Sequence, residues 1–383
     1  MKNKPLKMIS LFSGIGGLDA GLHDVGFSPL FCSELDENAA KTLRNWLSSK
    51  KIVAEFASDV TSIEPEKLMR TLGLSPGELD LLAGGPPCQA FSLIGKRRSL
   101  NDERGILLFE MARYASAFLP KVILIEQVRG LISACCLDME RGGVLRILIE
   151  KLECLGYKIK YKIVRAADYG VAQLRDRVLI IASQEKEFNF PEPSHKPSGN
   201  SRSNLDIFGS LKSPYLTVFD VIGDLPKPVL KGEKEEIPNH VDVTPSRDRE
   251  RIHGVPEGDY LARQLHLPEQ QRRMLNPKKD TTKFRRLAWN EPSLTLRGGE
   301  VFYHPTQDRY LTPRECMRLH GFRDDHLLFG PIRGRTGSVR DLDQHRLVAN
   351  AVPPPLAKAI GSAILTQFFE INAYSPIKRR VAS

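Results

Sequence analysis

The stretch KMISLFSGIGGLDAGLHDVGFSPLFCSE, residues 7 to 34, carries three local patterns in succession. KMISLF is an apolar run of strand length that stops at a glycine turn, SGIGG. LDAGLHDVG then has the spacing of a helix closed by Gly26, and FSPLFCSE reads as a second strand. Strand, turn, helix and strand make one βαβ unit, and the alternation continues. DENAAKTLRNWLSSK is a helix with an acidic start and a basic end, as the helix dipole prefers. KIVAEF, LDLLAGG, KVILIEQ, YKIKYKIV and DRVLIIAS read as further strands, and GILLFEMARYASAFLP as a helix. Over the first 184 residues this predicts an α/β fold built on a doubly wound, mostly parallel sheet.

From residue 186 to about 308 the texture changes to Pro, Gly, Ser and Asn without sustained periodicity. Trp289, Phe302 and Tyr303 argue for a packed, irregular second lobe rather than a disordered linker. Regular structure resumes at TPRECMRLHGF, where Thr312 is placed to cap a helix with Pro313 at its first position. PPPLAKAIGSAILTQFF is an amphipathic helix expected to pack back on the first lobe. The expected division is therefore 1–185, 186–308 and 309–383.

A chain of 383 residues is long for one core, which fits two lobes. The apolar runs are too short to span a bilayer, and the basic N-terminus leads into a glycine turn rather than a signal-peptide core. No membrane association is expected. A formal charge of +10 suits a polyanionic partner, nucleic acid first, and on charge alone suits a merely soluble basic enzyme equally. Six cysteines, with no C-x-x-C pair and no histidine at ligand spacing, predict neither zinc nor disulfides. They suit a reducing cytosol, where a free thiol persists.

One thiol stands out. Cys88 in GGPPCQAF follows a strand at the carboxyl edge of the predicted sheet, where this fold class binds ligands, and Pro86 and Pro87 stiffen its loop. Glu126 closes the next strand on the same edge, where a desolvated carboxyl is expected to stay protonated and donate to a ring nitrogen. QLRDR adds Gln173, Arg175 and Arg177, the two arginines on one side of an extended chain. At the other end of that edge the turn FSGIGG suits a ligand at a helix N-terminus, though its spacing is not the G-x-G-x-x-G of nicotinamide enzymes. Glu34 and Asp59, each at a strand end, are placed to accept from ribose hydroxyls and from an adenine amine.

These stretches, in this order, resemble the DNA (cytosine-5) methyltransferase family over nearly the whole chain. FSGIGGLDAG, SELDENA and SDV resemble its methyl-donor motifs, GGPPCQAFS its catalytic loop and RGILLFEMAR the helix after it. IEQV stands where the family has Glu-Asn-Val, DYGVAQLRDRV resembles the arginine motif, and RYLTPRECMRLHGF and QHRLVANAVPPPLAKAIG the last two. The resemblance implies the S-adenosylmethionine-dependent methyltransferase fold with a smaller DNA-recognition lobe at 186–308. It implies that Cys88 attacks C6 of a flipped cytosine in duplex DNA, that Glu126 holds the base, and that Arg177, with Arg175 nearby, contacts O2. C5 then takes a methyl group from S-adenosylmethionine, with no metal. Phe12, Gly14, Gly16, Glu34, Leu35, Asp59, Val60, Pro86 and Leu107 fall on the donor side, closed by Asn350, Ala351 and Val352 from the far end of the chain. Gln89, Ser92, Gln173, Thr295, Leu296 and Arg297 fall on the DNA side, and Arg272, Arg273 and Lys283, in a basic run reaching Arg285 and Arg286, are expected to meet phosphates. Three positions depart from the family pattern: Gln127 replaces its asparagine, Ala172 a frequent proline, and Leu35 an aromatic found in some members.

The compact length suggests a prokaryotic or phage modification enzyme. It is expected to be a cytoplasmic monomer, with any cognate restriction endonuclease acting separately. The rival readings are a tRNA methyltransferase, whose Cys-Phe-Thr signature the second lobe lacks, and a DNA-binding relative without catalysis. A nicotinamide oxidoreductase is discouraged by the glycine spacing.

Overall fold

The computed structural model describes residues 5–87, 103–134, 141–198, 212–261, 267–271, 284–333 and 342–369. Its centre is a sheet of β1 (Leu6–Leu11), β2 (Phe27–Ser33), β3 (Glu55–Ala57), β4 (Leu81–Gly84), β5 (Val122–Val128), β6 (Lys158–Arg165) and β8 (Asp176–Ser183). A two-residue strand, β7 (Gln173–Leu174), lies outside it. The sheet order is β3-β2-β1-β4-β5-β8-β6. The first five strands run parallel; β8 is antiparallel to both β5 and β6, so the sheet is mostly parallel.

Alternation along the strands decides what covers each face. Ile9, Leu11, Ile123, Ile125, Val178 and Ile180 share one core with helices α3 (Pro65–Thr71), α4 (Glu103–Phe118) and α5 (Gly143–Glu153). Met8, Val122, Leu124, Leu179 and Ile181 point the other way, against α1 (Gly17–His23) and the C-terminal helix. Between α1 and α3, α2 (Glu37–Ser49) packs Leu43, Trp46 and Leu47 on Cys32. One strand is shorter than its sequence suggests. KIVAEF contributes only its end to β3, because Lys51 takes a left-handed turn (φ 58°) after α2 and Val53 is 93% exposed.

Beyond the sheet, short helices α6 (Val218–Ile222) and α7 (Ser246–Ile252) precede α8 (Pro313–Leu319), α9 (Gln344–Asn350) and α10 (Pro354–Phe368). Thr312 and Glu315 form a reciprocal capping box at the start of α8, with Pro313 at its first position. A third core runs through Val218, Ile222, Leu287, Phe302, Tyr310, Met317 and Leu347. Leu356, Ala357, Ile360 and Ile364 of α10 belong instead to the sheet. The C-terminal segment thus shares its first part with the irregular lobe and returns to the sheet with its last helix.

Candidate active site

Two places on the carboxyl edge of the sheet collect the predicted side chains. The first is the glycine turn after β1. Phe12 and Gly14 take left-handed conformations (φ 56° and 57°), and Gly16 caps α1 with φ 83°. A side chain added at Gly14 would meet nothing within 4 Å, so the turn faces open space. Glu34, just past β2, accepts the Gly14 N–H on Oε2 and the Asp36 N–H on Oε1, both at 2.8 Å. Burial raises its pKa, and those two N–H groups work in the opposite direction. Asp59 follows β3 and caps the turn at Val60, its Oδ1 accepting from the Thr61 N–H and hydroxyl at 2.9 and 2.7 Å. Leu35 is 40% exposed beside them. Val60 is buried, and Leu107 on α4 is half-buried.

The turn is held from beneath and from the far end of the chain. Ser13 Oγ donates to Ser10 Oγ at 2.9 Å beside the buried Asp19, whose pKa burial pushes up to about 6. His326 bonds through Nε2 to the Ile15 carbonyl at 2.8 Å and stacks on Trp46. Val352 is buried with its carbonyl 2.1 Å from where a Cβ on Gly17 would stand. Only glycine lets the two segments approach so closely.

The second place is the end of β5. Arg177, opposite Val128 on the neighbouring β8, puts Nε 2.7 Å from Glu126 Oε1, with both side chains nearly buried. That N–H does not point at the oxygen, so the pair is an ion contact without an aligned hydrogen bond. A guanidinium therefore lines the place where a desolvated carboxyl is expected. A Cβ on Gly85 would stand 3.4 Å from Glu126 Oε2 and 4.0 Å from Val352, which brings the two places to the root of one loop. Gln127, 1% exposed, donates its amide to the carbonyl of buried Pro86. Cys88, Gln89 and Ser92 lie outside the described residues, as do Arg272, Arg273 and Lys283.

Several expected DNA-side residues are interior. Gln173 is fully buried, its amide oxygen accepting from the Leu296 N–H and its nitrogen facing His320 Nδ1. Leu296 is buried, and Thr295 donates its hydroxyl to the Leu174 carbonyl at 2.7 Å. Arg297 is exposed, as is Asn350. Arg175 is 1% exposed and donates to the carbonyls of Ala349, Ala351 and Leu296 at 2.7, 3.1 and 3.3 Å. Burial and then the neighbouring Arg177 lower its pKa to about 9. The alternation that sets the two arginines on one side did not foresee a third segment closing over the first of them. Arg286, expected among phosphates, is 4% exposed and bonds the His304 and Ile252 carbonyls and Asp308, while Arg285 lies over the Tyr260 ring.

Residues 6–366 match the model of the C-5 cytosine-specific DNA methylases. The chain belongs to that family. This methyltransferase is 32% identical to the type II methyltransferase M1.HphI of Haemophilus parahaemolyticus, across 94% of this chain and 87% of that one. It is 39% identical to M.AquIA of Picosynechococcus over 57% of its length and 89% of the relative. In fold it resembles a DNA modification methyltransferase encoded within a prophage of E. coli, with TM-score 0.66 and 21% identity over 94% and 99% of the two chains.

The methyltransferase also has site residues that the motifs did not single out. His320 and His326 lie in or just after a quoted motif but carry no sign of their partners, because Gln173 and Ile15 are 147 and 311 residues away. Gln127 was noted only as a departure; its contact with Pro86 shows why a longer amide is accommodated.

Proposed function

We propose that this enzyme methylates C5 of one cytosine in a specific duplex DNA sequence, through a covalent bond between Cys88 and C6, as the modification partner of a separate restriction endonuclease. Family membership carries the reaction class and implies S-adenosylmethionine as donor. Names of type II methyltransferases among the relatives support the modification role. The single structural observation that supports the site is the Glu126–Arg177 contact beside the root of the Pro-Pro-Cys loop. Residues 186–308 serve in this reading as the recognition lobe, with Arg297 on its exposed face. The protein acts as a cytoplasmic monomer; no described helix is long and apolar enough to cross a membrane.

The donor-side residues fit S-adenosylmethionine. Gly14 opens on free space, and each oxygen of Glu34 retains a lone pair beyond its backbone N–H, enough for the ribose hydroxyls. Asp59 would accept from the adenine amine, Leu35 would cover the ring, and Asn350 to Val352 would close the wall. When bound, the donor supplies an electrophilic methyl group on a sulfonium. Among the described residues no cluster of His, Cys, Asp or Glu is arranged to hold a metal ion.

Glu126 holds the flipped base through N3 and the exocyclic amine, and Arg177 turns from the carboxylate toward O2. Attack of the Cys88 thiolate would form the S–C6 bond and move the C5–C6 electron pair to C5, which would take the methyl group as the sulfonium S–CH3 bond breaks and a neutral thioether leaves. C5 then loses its proton to solvent, and the returning pair expels the thiolate. Arg175 acts from behind, as a positioning residue. Two experiments test the reading. Expression in a methylation-free host followed by 5-methylcytosine mapping should show one short motif modified throughout, and transfer to tRNA alone would overturn it. A duplex containing 5-fluorocytosine should trap an adduct that Cys88→Ser abolishes.

A further inference from the structure

His320 follows α8 and is fully buried between three segments that are far apart in sequence. Its Nε2 lies 2.8 Å from the Ala351 carbonyl, and its Nδ1 lies 3.1 Å from Gln173 Nε2. Gln173 Oε1 in turn accepts the Leu296 N–H at 3.1 Å. The end groups fix every proton in between. Leu296 N–H only donates and the Ala351 carbonyl only accepts, so the imidazole must be neutral, with its hydrogen on Nε2. Burial, with Arg175 and Arg177 adding to it, holds its pKa well below the ordinary histidine value, which keeps that state. The four groups form one polarised chain of donors running from the recognition lobe to the wall after α9. Arg175 bridges the same two ends through the Leu296 and Ala351 carbonyls.

We propose that His320 is a positioning residue for methyl transfer, setting the Ala351 carbonyl, and with it the donor-side wall Asn350–Val352, in register with the recognition stretch at Thr295–Arg297. This rests on the reading that Asn350–Val352 close the donor site. Ala351 continues directly into Val352, whose carbonyl is packed where a Cβ on Gly17 would stand, so a shift at Ala351 is passed to the glycine turn. The Phe322 ring lies nearly parallel to the imidazole, with centroids 6.0 Å apart.

The two nitrogens can be separated by substitution. In His320→Gln the amide nitrogen reaches the place of Nε2 and keeps the bond to Ala351. In His320→Asn the side chain reaches only the place of Nδ1 and keeps the link to Gln173. Steady-state methyl transfer to fragmented genomic DNA from a methylation-free host should show KM for S-adenosylmethionine raised about tenfold in His320→Asn, with kcat within about threefold of wild type. His320→Gln should return KM to within about twofold. A purely structural histidine would instead lower the melting temperature of both variants and reduce apparent kcat through the active fraction, leaving KM where it was. Equal KM values in wild type and His320→Asn would overturn the proposal. Failure of the underlying site reading shows separately, as a KM for S-adenosylmethionine that Val352→Ala leaves unchanged.

Discussion

Glu126 and Gln127 leave the end of β5 in opposite directions, as neighbours on a strand do. Glu126 meets Arg177 from β8, and Gln127 meets the carbonyl of Pro86, two residues before Cys88. Replacing Gln127 by Leu deletes that donor and leaves a buried carbonyl without it, a loss of about 1–3 kcal/mol. Because the carbonyl lies two residues before Cys88 in the same loop, kcat should fall about tenfold. An unchanged kcat would detach Gln127 from the loop's function. Glu126→Gln keeps an acceptor oxygen but removes the charge facing Arg177 and the titratable carboxyl proposed to hold the base, and leaves a nearly buried guanidinium without its counter-charge. Both kcat and thermal stability should drop, kcat by at least about a hundredfold. At this scale residue type at a strand end picks out the candidates Glu126 and Arg177 from the sequence, and the structure places them in contact. Their partners were not legible: Gln173 and Arg175 share one short motif with Arg177, yet only contact with residues 296 to 351 shows that they face inward.

At the scale of elements, α1 and α10 pack with almost no space between their backbones. A Cβ on Gly21 would stand 2.3 Å from the Pro354 carbonyl and 2.5 Å from the Ala357 Cβ, and both neighbours are anchored in a helix start. Gly21→Ala should therefore destabilise the protein, by about 1–3 kcal/mol for overpacking, even though alanine is the better helix former. A thermal melt unchanged or raised by the substitution would show that α10 can retreat. The sequence marks Gly21 only as one more small residue in a helix; its reason lies in an element more than 300 residues later. The same distance explains what periodicity read well and what it missed. Short apolar runs identified most of the sheet, since its central strands are buried on both faces, but the direction of β8 follows from pairing that no local pattern carries. β3 shrank because a run of apolar letters does not announce a left-handed Lys51.

Over the whole molecule, buried histidines gather between positions 240 and 345, where the irregular lobe and the C-terminal segment meet each other and the glycine turn. His326 holds the Ile15 carbonyl, His345 lies between those of Leu311 and Ile332, to one of which the neutral ring donates, and His240 meets the Thr312 hydroxyl and the Pro226 carbonyl. Burial lowers the pKa of each, and with adjacent arginines it takes His304 to about 4; His326 also falls to about 4. Folded values below the unfolded value near 6.5 mean that the unfolded chain binds more protons between about pH 4 and 6.5, so stability must fall as pH drops through that window. Asp19 acts the other way: its folded value of about 6 lies above its unfolded one, so the folded state takes a proton there and gains stability on acidification. Between pH 6.5 and 5, His304 and His326 cost at most about 2 kcal/mol each at about 1.4 kcal/mol per unit, while Asp19 returns about 1.4 kcal/mol. The remaining histidines add to the loss, whereas Glu315, held below the usual carboxylate range by Arg309, titrates beneath this window. The melting temperature should consequently be lower at pH 5 than at pH 7.5, by roughly 5 °C. Because these histidines sit at the joints and, among the described residues, no buried histidine lies in the sheet's own cores, the transition at pH 5 should begin in residues 240–345. Hydrogen exchange should therefore rise in residues 240–345 before it rises in β1, β4 and β5. Uniform loss of protection across the sheet and the lobe, or a melting temperature that climbs on acidification, would contradict this account of what holds the two lobes together.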